Sequence, residues 1–85
     1  DLIYKGTSTF IYWENIISGI DKVDIFYSTD NGKNWFNIVE DIKNNGMYNW
    51  VIPQNISFSN KCLVKISASS NSKQIGQSDN VFTIK

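Results

Sequence analysis

The chain has 85 residues, 41% of them hydrophobic and 14% aromatic, and its eight acidic residues are balanced by eight lysines with no arginine. This is the size of one domain, residues 1–85, near the lower limit for a single unstapled core; folding then buries only about 60% of the unfolded surface, which leaves little room for an internal catalytic cavity. A neutral chain without a guanidinium argues against nucleic acid, which demands a basic face and favours bidentate arginine contacts.

In chain order, short stretches alternate with period two between turn residues, the pattern of an all-β domain. Leu2 to Lys5 reads as a short edge strand. Ser8 to Glu14, "STFIYWE", is rich in aromatic and β-branched residues. Lys22 to Ser28 sets Val23, Ile25 and Tyr27 on one face. Next comes "WFNIVEDIK", where Trp35, Ile38, Val39 and Ile42 fall at roughly helical spacing. The run is too short for a secure helix, so a strand over Trp35–Val39 followed by an irregular loop is expected, with a short helix as the alternative. Met47 to Ile52 follows Asn44-Asn45-Gly46. Cys62 to Ser69 sets Cys62, Val64, Ile66 and Ala68 on one face, and Val81 to Ile84 closes the series. About seven antiparallel strands result.

The stretch "YSTDNGKNW" holds the spacing S-x-D-x-G-x-x-W through Ser28, Asp30, Gly32 and Trp35. Asn31-Gly32 is a strong signal for a two-residue hairpin turn, since both residues tolerate positive φ. Asp30 is placed to accept bonds from amides further along the turn, Ser28 to add another local bond, and Trp35 to fold back over the loop. A structural turn therefore accounts for every residue of the motif. One carboxylate cannot build the cage of six to eight oxygens that calcium takes, and no metal or cofactor is expected.

S-x-D-x-G-x-x-W resembles the Asp-box of sialidase-type repeats, where it is a structural hairpin. The wider order "FIYW", "VDIFYSTDNGKNW", "GMYNWVIP", "CLVKISA", "SDNVFTI" resembles immunoglobulin-like or fibronectin-III-like modules of bacterial secreted and surface multidomain proteins. It is also similar to the N-terminal domain of the Ser/Thr-rich GPI-anchored family of fungal wall proteins. The resemblance spans roughly residues 8 to 85. Matching apolar positions are Ile11, Trp13, Val23, Ile25, Tyr27, Trp35, Ile38, Tyr48, Trp50, Ile52, Val64, Ile66, Phe82 and Ile84, and Pro53 matches a strand-ending proline. The departure is a first strand shortened to "DLIYKG", as if cut short or completed by a neighbour's strand. What the resemblance implies is a β-sandwich of about seven strands, outside the cell or on its surface, acting as a spacer or adhesive unit.

Other residues fit that non-enzymatic expectation. With no histidine, the usual general base, the Ser-His and Cys-His pairs and the commonest zinc ligand are missing. Asp21, Asp24, Glu40, Asp41 and Asp79 have no sequence neighbour that would raise a pKa. Cys62 has no second cysteine to pair with and sits on inward parity, as a small core residue. Asn55-Ile56-Ser57 is a glycosylation sequon close to chance expectation in so Asn- and Ser-rich a chain. No run approaches the roughly 18 apolar residues of a membrane span. Trp13, Trp35 and Trp50 share the parity of the aliphatic core. If they point inward, Phe10, Tyr12, Met47 and Val51 point outward on two neighbouring strands and form an apolar patch. Its expected partner is a neighbouring domain or another protein, a second copy or a ligand included, and the alternative is that the chain's own first segment or a loop folds over it. The alternative function, a carbohydrate-binding module, would take a polysaccharide, with Phe10, Tyr12 and Phe26 as the aromatic candidates.

Overall fold

Alternation of side chains translates directly into extended backbone. The computed structural model describes residues 2–14, 19–78 and 81–85, and every regular element within them is a β-strand. Among the described residues there are eight: β1 (Leu2–Ile3), β2 (Ser8–Tyr12), β3 (Lys22–Ser28), β4 (Phe36–Lys43), β5 (Met47–Val51), β6 (Ser59–Ala68), β7 (Gln74–Gln77) and β8 (Phe82–Ile84). The larger sheet runs β1-β8-β6-β3-β4 with β7 also paired to β6, and the smaller is the β2–β5 pair. Pairings are antiparallel except β1 with β8, which is parallel. Together they form an open, sandwich-like arrangement.

The core lies between the sheets. Val23 and Ile25 of β3 with Cys62, Val64 and Ile66 of β6 come from the larger sheet, Trp50 from the smaller one, and Ile52 and Ile56 from the chain after β5. Alternate positions of β6 turn inward as the sequence suggested. Leu63 and Ser67 on its other face are buried too, so this central strand is covered on both sides.

β4 resolves the ambiguous run. Its pairing with β3 goes Val23↔Ile42, Ile25↔Val39, Phe26↔Asn37, so β4 carries one extra residue in each interval. Two bulges result, and each flips the parity of the residues beyond it. That is why Val39 and Ile42 share a face at a spacing that mimics a helix. Asp24 braces the bulge between Val39 and Ile42: its Oδ1 accepts from the Asp41 N–H at 2.8 Å and from Ser69 Oγ at 2.6 Å, and Asp41 sits at φ 58°. The segment after Val39 is therefore strand, neither irregular loop nor helix.

Other boundaries also differ from expectation. The first strand stops at Ile3, because the Thr7 N–H and Oγ1 both donate to the Tyr4 carbonyl and Gly6 supplies φ 78°, closing a turn. β7 is a strand beyond the seven that the sequence pattern predicts. It is short and polar, and its Gly76 lies against Ile66 and Trp13, where a Cβ would make ordinary van der Waals contact with both.

Candidate functional site

Asn31 and Gly32 both adopt positive φ, 62° and 88°, and the Lys33 N–H donates to the Asp30 carbonyl at 3.4 Å. This is the geometry of a type I′ turn. It is nested in a longer connection, since β3 ends at Ser28 and β4 starts at Phe36; the expected two-residue hairpin loop is corrected to residues 29–35. The loop is longer because it is tied to β6: the Asn31 N–H donates to the Lys61 carbonyl at 2.9 Å, and Ser59 Oγ to the Thr29 carbonyl at 2.6 Å.

Ser28 is fully buried at the base of this loop. Its Oγ donates to Asp30 Oδ1 at 2.7 Å and accepts from the N–H of Gly32 at 2.9 Å and of Asp30 at 3.3 Å. Asp30 Oδ1 also accepts from the Asn34 N–H at 2.8 Å, and Oδ2 from Asn34 Nδ2 at 2.6 Å. The Asn34 backbone bond, then the Asn34 side chain, then Ser28 hold the carboxyl at about 2, below its ordinary 3.8. All three partners donate to the ionised form, which they favour. Both carboxylate oxygens are thus occupied by their own loop.

Trp35 does cover the loop, but it does not join the core. A Cβ on Gly32 would touch its ring at 3.5 Å, while the Lys65 ammonium stands 4.4 Å from its centroid and 5.3 Å from that of Phe26. Core parity fails for this tryptophan because it belongs to the loop, where alternation does not apply. Trp50 is 3% exposed and its ring lies 5.3 Å from that of Tyr27. Trp13 packs at the margin of the core, its Nε1 donating to Asn44 Oδ1 at 2.7 Å.

The outward patch has the parity that the sequence implied. β2 and β5 pair with Ser8↔Val51, Phe10↔Asn49 and Tyr12↔Met47. Phe10 is 50%, Tyr12 70%, Met47 43% and Val51 64% exposed. Tyr12 and Met47 are directly opposite, whereas Val51 sits diagonally from Phe10 across the pair, within reach of a long side chain. The Phe10 and Tyr12 rings are 6.1 Å apart and inclined by 28°. Two exposed aromatic faces therefore lie side by side on one strand, with Asn49 beside them.

The remaining candidates are dispersed. Cys62 is buried in the core. Asp41 and Lys22 form an exposed ion pair at 3.7 Å, of a kind that contributes little. Asn55 is exposed while Ile56 of the same sequon is core. Asp79 lies outside the described residues. The role of Asp24 in bracing a bulge had no local signal, because its partners are distant in sequence. No helix among the described residues is long and apolar enough to cross a membrane. Comparison with known protein families, with characterised proteins and with solved structures finds no match for this chain.

Proposed function

We propose that the chain is a non-catalytic immunoglobulin-like or fibronectin-III-like module, a spacer or interaction unit of a larger extracellular or cell-surface protein. Strand order supports the Ig-like part of the reading. The second and fifth strands pair in one sheet, the third and sixth in the other, and the last lies beside the sixth, as B–E and C–F–G do in that fold. The extracellular setting rests on the sequence resemblance. The non-catalytic reading is supported by the commitment of Asp30 to its own loop and by the lack of histidine.

The observation that carries the interaction reading is the outward apolar face formed by Phe10, Tyr12, Met47 and Val51. Single exposed hydrophobes are ordinary, but a contiguous group rimmed by polar residues marks a surface that another molecule covers. A neighbouring domain or another protein is the partner it suits. Phe10→Ser and Val51→Ser should each leave the isolated domain folded, within about 0.5 kcal/mol, and should weaken its association with neighbouring modules of the parent protein. Unfolding of either variant would mean that these side chains serve the core.

A second reading, a carbohydrate-binding module, is favoured by the paired Phe10 and Tyr12 rings with Asn49 opposite Phe10. Stacking on sugar rings needs such a platform with an amide beside it. Affinity electrophoresis in gels containing soluble polysaccharides separates the two readings. Retardation that disappears in Tyr12→Ala supports the sugar platform, and migration unaffected by any polysaccharide supports the protein interface.

A further inference from the structure

The smaller sheet is narrower than the sheet it faces, and the mismatch leaves an open trough of about 920 Å³ along β2. Ile11 and Trp13 form one side, Ile75 of β7 and Phe82 of β8 the other, with Val64 and Ile66 at the floor. Among the described residues, the inner faces of β7 and β8 thus have no strand opposite them.

The rim of this trough is a strand edge whose hydrogen-bonding phase can be read. The Ile52 N–H donates to the Thr7 carbonyl at 2.8 Å and the Trp13 N–H to the Gly46 carbonyl at 3.0 Å. With the β2–β5 register, this directs the Thr7 carbonyl and the backbone groups of Thr9, Ile11 and Trp13 toward β5. Ser8, Phe10 and Tyr12 direct their N–H and C=O groups the other way, along the trough. Among the described residues these groups have no backbone partner.

The other strand edges are interrupted: β7 is only four residues long and its pairing with β6 shifts register. β4 has its two bulges and carries Glu40, Asp41 and Lys43. β1 is only two residues long. On β5 the Met47 N–H is taken by Asn45 Oδ1 at 3.3 Å, and Pro53 follows closely. β2, "STFIY", has no charge, no proline and no bulge, the devices by which edges avoid pairing. An undefended row of donors and acceptors at strand spacing, above a trough of mixed polarity in which Ile75 and Phe82 lie beside Gln77 and Ser78, is complementary to extended backbone that directs an apolar side chain at Ile75 and Phe82.

We propose that the β2 edge and its trough bind an extended strand of a separate polypeptide, about as long as β2 itself, by β-augmentation. Its backbone pairs with Ser8, Phe10 and Tyr12, and its inward side chains pack on Ile75 and Phe82. A second folded copy fits less well. Its β2 would arrive with Ile11 and Trp13 already packed on their own core, leaving nothing to fill the trough. The proposal concerns the edge of β2, not its outward face, and it stands or falls apart from the interface reading above.

The probe is a synthetic octapeptide of alternating valine and threonine with a lysine at each end, titrated into the ¹⁵N-labelled chain while amide exchange is followed by NMR. The amides of Ser8, Phe10 and Tyr12 should exchange at least about tenfold more slowly with peptide bound, the scale of one secured hydrogen bond, while those of Thr9 and Ile11 are already protected by β5. Two peptides N-methylated on alternate amides give the second arm: one set should bind at least tenfold more weakly and the other set should bind normally. Phe10→Pro removes an edge donor without touching the β5 ladder, and should stay folded yet lose binding. Unchanged exchange at millimolar peptide, or equal binding of the two methylated peptides, overturns the proposal. So does protection of these amides without peptide. If that protection depends on protein concentration the edge is occupied by a second copy, and if it does not, by the chain's own residues.

Discussion

Replacing Ser28 with alanine removes a single oxygen from the base of the 29–35 loop and tests whether the S-x-D-x-G-x-x-W motif is structural. Ser28 is fully buried, and its Oγ links to the Asp30 carboxylate and to the amides of Gly32 and Asp30. Each such bond contributes about 0.5–1.5 kcal/mol net, the one at 3.3 Å the least. Partial solvent access at Asp30 lets water replace some of what is lost. The expected cost is about 2 kcal/mol, against a total stability on the order of 4–13 kcal/mol for a chain of this length. Urea unfolding measures it. At a slope of about 1 kcal/mol per molar, the midpoint should fall by about 2 M with the slope unchanged. An unchanged midpoint would show that the serine is not needed to hold the turn, and the structural account of the motif would fail.

Trp50→Ala should cost about 3–5 kcal/mol, because the ring is 3% exposed and packs tilted against Tyr27; a loss under about 1 kcal/mol in the same urea assay would put Trp50 outside the core. Asp30 predicts an acid dependence. Its carboxyl is held at about 2 in the folded chain against an ordinary 3.8, so its contribution is complete above about pH 4 and is lost as pH falls through about 2. Asp30→Asn should lose less stability than the parent chain over that interval, followed by circular dichroism, and equal losses would refute the assignment.

Legibility in the sequence followed the regularity of the strands. β2, β3, β5 and the part of β6 from Cys62 onward alternate regularly in direction, so the inward set Val23, Ile25, Trp50, Val64 and Ile66 and the outward set Phe10, Tyr12, Met47 and Val51 could both be read from parity. β4 could not, since the two bulges that place Val39 and Ile42 on one face depend on pairing with β3, and Asp24, which braces one of them, acts across the sheet. β7 is short, polar and interrupted by Gly76, and only its neighbour β6 makes it a strand. Trp35 matched the apolar pattern but lies in a loop, where its partners are Gly32 and Lys65. In the turn the positive φ values of Asn31 and Gly32 were legible because they are local. The length of the connection was not, because it is set by contacts with Ser59 and Lys61 of β6.

Met47 is the chain's single methionine, and it stands on the outward face opposite Tyr12. A ¹³C label on its ε-methyl group therefore gives one NMR signal within the proposed interface, at its Tyr12 end. Its relaxation by a soluble gadolinium chelate, compared between the isolated domain and the longer parent protein, tests the interaction reading most directly. The interaction reading predicts strong relaxation in the isolated domain and a several-fold reduction when the neighbouring modules are present, as burial at an interface requires. Equally strong relaxation in both would leave the face uncovered and contradict it.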